Sequence, residues 1–360
     1  MGLLHRVPVV RIGQSYRPME SATQTLTLPI QMRIKGEEFM LADRAMSESD
    51  QVRCVRHDVM IPPPPDLRMD YLQLTPATVQ GEGYDLVLPG FMLRSCRTQT
   101  TIGASGCGGL ERHIFVFLSN LKGEGRLNGR PLLEGLTFLS GTDPFEARLP
   151  PMDMMGLAVS RDLLDDYLET VEGVASPWMG DGIHFFGNPK AVSASAGLIR
   201  EMLARLEADP AALLTEEGRN FTIWSILDRI VPAIVDSRAD MATDYRLPNR
   251  YKIVRRTREY ILDRIDEPLQ ISTVCRDLGV SRRALQYSFQ DVLNINPVAF
   301  MRMLRLNGAR RDLVEMSEAR QVKDVIDRWG FWHPSRFSGE YKQMFHELPS
   351  DTLRRSRAST

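Results

Sequence analysis

Asp277-Leu278-Gly279-Val280-Ser281-Arg282-Arg283-Ala284-Leu285 decides how the last third of this 360-residue chain folds. Upstream of it, Ile271, Val274, Cys275 and Leu278 recur at three- and four-residue spacing, one face of a short helix that Gly279 ends by supplying a left-handed backbone. Ser281 is placed to cap a second helix, whose apolar positions Leu285, Phe289 and Leu293 turn back onto the first. The opposite face carries Arg282, Arg283, Gln286, Tyr287 and Gln290. Such side chains fork onto guanine, pair with adenine or donate to phosphate oxygens, so the pattern is that of a helix-turn-helix.

The same unit recurs downstream. A shift of 52 lays Leu285 on Phe337, Phe289 on Tyr341, Leu293 on Phe345, Asn294 on His346 and Pro297 on Pro349. Before the turn a shift of 51 lays Val274, Leu278 and Gly279 on Val325, Trp329 and Gly330, so the second turn has one extra residue. A period near fifty with matched apolar spacing means two similar supersecondary units, here 271–292 and 322–345. The helix read between them, 297–315, is about 28 Å long at about 1.5 Å per residue, comparable to one turn of B-DNA. Gly308 within it costs about 1 kcal/mol against alanine, which points to close packing or a weak spot.

Charge supports a polyanionic partner. From Arg250 to Thr360 the chain has 21 Lys and Arg against 14 Asp and Glu, net +7; the whole chain has 45 against 46, leaving 24 against 32, net −8, for the first 249 residues. A basic end suits DNA, and an acidic remainder lowers indiscriminate attachment.

With these motifs, with Arg305-Leu306-Asn307-Gly308-Ala309-Arg310 between the units, and with Trp329-Gly330-Phe331, Arg336-Phe337 and Leu348-Pro349-Ser350 in the second, the chain resembles AraC/XylS-type bacterial transcription regulators. The resemblance implies an all-α DNA-binding domain over 251–357, with the start of each second helix in adjacent major-groove segments. Position by position it assigns DNA contact to Ser281, Arg282, Arg283, Gln286, Tyr287, Gln290 and Arg305, and to His333, Pro334, Ser335, Arg336, Ser338, Gly339 and Lys342, with Trp332 near them at the turn. Pro334 lacks a backbone donor and Gly339 a side chain, so the second unit reads through Arg336, Ser335 and Ser338. Arg302, Arg305, Arg310 and Arg311 either meet phosphates or make ion pairs within the domain. Where family members often have glycine, Asn294 and His346 stand, two residues that tolerate a left-handed backbone.

The preceding region reads as α+β overall: a β-rich segment, then helices. Runs at 85–88, 91–95, 114–118, 137–140 and 156–159 are strand-like. Asn128-Gly129 is a hairpin turn, and Pro62 to Pro65 an extended connector. Helical spacing follows at 161–167, 191–206 and 215–231, with Pro232 expected to end or kink the last. The resemblance implies a cupin-like sensor (21–170) after an N-terminal extension (1–20), followed by a helical region (171–236), and the polar stretch 237–250 with Pro248 reads as a linker. Phe221, Trp224, Leu227 and Val231 form a stripe that is either core or a dimer face.

Chemistry elsewhere is thin. A metal-binding cupin needs converging imidazoles, and only His113 stands among the strands; Cys54 and His57 have no second ligand pair. Gly103 to Gly109 fits neither a phosphate loop nor a nucleophile elbow and reads as a hairpin tip. Cys96 and Cys107 lack the surroundings of a reactive cysteine. No metal, cofactor or catalytic residue is therefore expected. No apolar run reaches 18 residues and no leader is recognised, so the expected setting is cytoplasmic. The family resemblance implies double-stranded DNA and RNA polymerase as partners, a homodimer, and control by a small-molecule effector. Alternatives are control by abundance or a partner protein, or an enzyme domain joined to a DNA-binding one.

Overall fold

The computed structural model describes residues 30–34, 37–41, 53–58, 69–77, 82–173, 182–186, 189–236, 249–267, 269–315 and 321–358. The expectations for 1–20, for Pro62 to Pro65 and for 237–248 lie outside these residues.

The chain is α+β, with strands first and a helical C-terminal domain. The strands are β1 (Ile30–Ile34), β2 (Glu37–Leu41), β3 (Arg53–Asp58), β4 (Met69–Gln73), β5 (Glu82–Leu88), β6 (Phe91–Thr98), β7 (Ile102–Ser119), β8 (Gly125–Leu127), β9 (Arg130–Leu132), β10 (Gly135–Leu149), β11 (Met152–Ser160) and β12 (Gly182–Phe186). They hydrogen-bond in the order β2-β1-β3-β5-β6-β11-β7-β10-β8-β9, with β4 on β7 and β12 on β10. Every strand run expected from the sequence lies inside one of these strands.

The glycine-rich stretch is not a hairpin tip. Gly103 and Gly106 lie in β7, paired on one side with Leu72 and Met69 of β4 and on the other with Arg148 and Phe145 of β10. Register shifts between Leu139 and Gly141 and between Gly141 and Pro144 mark an irregular stretch where glycine lets neighbouring backbone come close. The Asn128-Gly129 turn between β8 and β9 is as expected, with both residues at positive φ, 52° and 84°.

Strand alternation divides the sheet's interior in two. From β6, Phe91 and Leu93 enter one core, while Met92 and Cys96 enter the other. The first core is closed by α1 (Arg161–Tyr167), α2 (Pro189–Ala208) and α3 (Glu216–Asp236). In α3, Ile223, Ile226, Leu227, Ile230 and Val231 are buried there, Trp224 meets the Tyr167 ring edge-on at 6.2 Å, and Phe221 is 74% exposed. The stripe is therefore mostly core. The helix also continues through Pro232 to Asp236. Proline lacks the N–H that would bond the Asp228 carbonyl, so the helix runs on with one backbone bond fewer.

The C-terminal domain comprises α4 (Asn249–Leu262), α5 (Ile271–Leu278), α6 (Arg282–Leu293), α7 (Pro297–Glu315), α8 (Val322–Arg328), α9 (Pro334–Phe345) and α10 (Pro349–Ala358). Its first core gathers Tyr251 and Val254 of α4, Val274, Leu285, Phe289 and Phe300; its second gathers Leu306, Ala309, Val325, Phe337, Tyr341 and Phe345. At Gly308 of α7 a Cβ would fall 1.9 Å from Cη2 of Trp329, and the indole nitrogen donates to Asp312 at 2.8 Å. The glycine of the joining helix is a seat for that ring.

Strand β4 ties the two parts together. Its Met69 and Tyr71 face the second sheet core, whereas Leu72 and the adjoining Leu74 sit in the first helical core. Asp70 lies 3.3 Å from the Arg258 guanidinium and 3.1 Å from that of Arg311. Arg258 also meets Glu146 of β10 at 3.0 Å, both groups being buried. Burial pushes the Glu146 carboxyl up to about 7, against the pull of Arg258.

Candidate nucleic-acid interface

Local chemistry builds both reading helices. Gly279 at φ 65° closes α5, with Val280 N–H donating to the Cys275 carbonyl at 2.9 Å. Ser281 then accepts from Ala284 N–H at 3.1 Å and starts α6. Leu285, Ser288, Phe289, Val292 and Leu293 bury one side of α6. Ser281, Arg282, Arg283, Gln286, Tyr287 and Gln290 are all exposed. The Arg283 guanidinium lies 5.3 Å from the centre of the Tyr287 ring, which orders two reading side chains before any partner arrives. Gln290 donates to Asn294, whose φ of 53° gives the expected left-handed cap.

In the second unit α8 starts with a capping box between Gln321 and Asp324. Pro334 opens α9, and His333 before it gives no side-chain cap. Phe337, Tyr341, Met344 and Phe345 are buried, while His333, Pro334, Ser335, Arg336, Gly339 and Lys342 are exposed and Ser338 is half-buried. His346 takes the left-handed cap at φ 59°. Arg336 donates to Glu340 at 2.8 Å, and Arg302 of α7 reaches the same carboxylate at 2.9 Å.

The residues expected to touch DNA thus fall into two exposed rows, with Trp332, 70% exposed, at the entrance to the second. Arg305 is apart from both: it is half-buried and donates to the Glu267 carbonyl. The other α7 arginines have protein partners, Glu340 for Arg302, Glu347 for Arg310 and Asp70 for Arg311. Outside the rows, His113 packs on the Phe138 ring at 5.3 Å, and burial pushes the Cys96 thiol up to about 12, far from a reactive thiolate. Among the described residues no helix is long and apolar enough to cross a membrane.

A family model described as a helix-turn-helix domain matches residues 274–355, spanning both rows. The C-terminal domain is a helix-turn-helix domain. The probable thc operon regulatory protein of Rhodococcus erythropolis is 41% identical over 103 residues, 28% of this chain and 31% of that protein. The XylDLEGF operon transcriptional activator 3 of Pseudomonas putida is 30% identical over 98 residues, 27% of this chain and 30% of that protein. The chain thus spans under a third of the length of either relative. Among solved structures, a probable AraC family transcriptional regulator from Rhodopseudomonas palustris is similar at 30% identity, covering 29% of this chain and 97% of that one, with a TM-score of 0.27. What sequence reasoning missed is α4 and its Arg258, since its Tyr251, Val254 and Ile261 are too sparse to show a full apolar stripe.

Proposed function

We propose that the chain is a sequence-specific transcription regulator that reads DNA through α6 and α9 and takes an effector in its β-rich domain. The observation that carries the reading is the pair of exposed polar rows, on equivalent helices of a duplicated unit, in the basic third of the chain. The rows call for major-groove contact, with Arg282, Arg283 and Gln286 supplying base-edge donors and Arg336, Ser335 and Lys342 supplying the second half-site.

For control, the second sheet core lines a partly open cavity of about 80 Å3, with Met69, Met92, Ile114, Leu127, Phe145 and Met154 among its walls. Arg94 on its wall is held by Asp85 through two bonds of 2.8 and 2.6 Å, so the charge there is already matched. Such a space takes a small, uncharged, apolar molecule. Tyr71, on its wall, is the sequence neighbour of Asp70 and Leu72, which hold the helical domain, so filling the cavity bears on that attachment. The family resemblance adds RNA polymerase and a second copy of the chain as partners, and a cytoplasmic setting.

The test is selection from a random DNA pool by the purified chain, with and without small apolar molecules. The expected result is one preferred sequence made of two half-sites about one helical turn apart, bound with affinity that falls steeply with salt. A pool that emerges unenriched sinks the reading.

A further inference from the structure

We propose that the β-rich domain sets the geometry in which the two reading helices meet DNA, with Gln73, Arg126 and Arg148 as positioning residues; this rests on the DNA-reading assignment above.

The last carbonyls of a helix have no partner within it and must be satisfied from outside, most favourably by cationic donors. In α6 these partners come from the sheet. Arg126 of β8 donates to the Asp291 carbonyl at 2.9 Å, and Arg148 of β10 to the Leu293 carbonyl at 3.2 Å. In α9 the partner is again the sheet domain: the Met344 carbonyl accepts from the Gln73 side-chain amide and from Ala77 N–H, each at 3.0 Å. Between the two, Asn307 at the middle of α7 exchanges a pair of bonds with the Gln73 backbone, at 2.8 and 3.0 Å.

Both reading helices are therefore held at their C-terminal ends, and the helix joining them at its centre, by one body. The reading ends stay open, since Arg282, Arg283, Ser335 and Arg336 are exposed. The two units have separate cores, with Met303 of α7 packed on both. Helix α7 alone would fix their separation but leave their relative tilt softer. The grip removes that freedom, so it acts on the spacing of half-sites that the protein accepts rather than on which bases it reads.

The test uses the full chain, as wild type, Arg126→Ala/Arg148→Ala and Gln73→Ala, on the selected DNA with the half-site separation stepped one base pair at a time. The wild type is expected to lose about tenfold in affinity one step from its optimum, and both variants less than about threefold, with affinity for an isolated half-site unchanged. A spacing profile identical to wild type, or a loss equal at every spacing, overturns the inference while leaving DNA reading intact. A wild type that enriches no sequence overturns both. If either variant does not fold, hydrogen exchange of the Ala77 N–H in the wild type decides: protection like that of the α9 interior supports the grip, and exchange at the rate of an open loop overturns it.

Discussion

The two helix-turn-helix units have reading helices of equal length, 12 residues each, buried aromatics in register and left-handed residues at the same cap, yet they are anchored differently. The first shares its core with Leu72 and Leu74 of the β-rich domain and is fixed beside the buried Glu146–Arg258 pair. The second has a core of its own and is bolted to the joining helix by Trp329 on Gly308. Its turn is one residue longer after the glycine, and its first reading turn has proline where the first unit has arginine. A duplicated unit has thus kept its internal geometry and a shared hold of the sheet on its helix ends, while the cores behind its two copies differ.

The largest contrast is expected with pH. The Glu146 carboxyl, held near 7 in the folded protein and near 4.5 in the unfolded chain, is protonated in both states below about pH 4.5. As pH rises the unfolded chain loses its proton first, so stability falls between about pH 4.5 and 7, by about 3 kcal/mol at roughly 1.4 kcal/mol per unit. Denaturant unfolding at stepped pH should show that slope in the wild type and a flatter one in Glu146→Gln. Equal slopes would remove this distinction between the supports.

On the second unit's side, Gly308→Ala forces its new methyl into the Trp329 ring, and overpacking outweighs the gain in helix propensity. A loss of about 2 kcal/mol is expected in thermal unfolding, partly recovered in Gly308→Ala/Trp329→Ala. Full tolerance of the single change would mean that the second unit is not held there. At the reading faces, Arg283→Ala should weaken binding to the selected DNA roughly thirtyfold, about 2 kcal/mol, and relax its base preference. Arg336→Ala should cost about threefold, because its guanidinium already has Glu340 as a partner. A reversed ranking in competition binding would make the second unit the main reader. The smallest difference concerns the caps: Ser281→Ala should lower stability by about 1 kcal/mol, and His333→Ala by only a few tenths, since Ser281 alone makes a cap bond.

How much of this was legible in the sequence depended on distance along the chain. The helix-turn-helix units, the joining helix at 297–315 and the left-handed residues at Asn294 and His346 follow from interactions spanning a few residues, and the structure has them where the spacing put them. The close packing expected at Gly308 is there too, although its partner Trp329 could not be named beforehand. Glycine-rich β7 was misread because glycine marks both turns and strands that neighbours approach closely, and only pairing with β4 and β10 separates the two. The grip on the reading helices left no trace at all. Gln73 and Asn307 are 234 positions apart, and neither arginine of β8 and β10 differs in sequence from a solvated one. Strand β4 was overlooked because both its faces are engaged, so the alternation of Met69-Asp70-Tyr71 breaks at Leu72 and leaves a run too short to read.

Trp329 and Trp332 stand three residues apart in the same turn, one ring seated on α7 with its nitrogen bonded to Asp312, the other 70% exposed beside the second reading row. In optical terms the turn holds an internal reference and a surface probe. The chain has four tryptophans, so variants keeping only Trp329 or only Trp332 separate the two signals: emission from the first reports whether the second unit is seated, and emission from the second reports what approaches it from solvent.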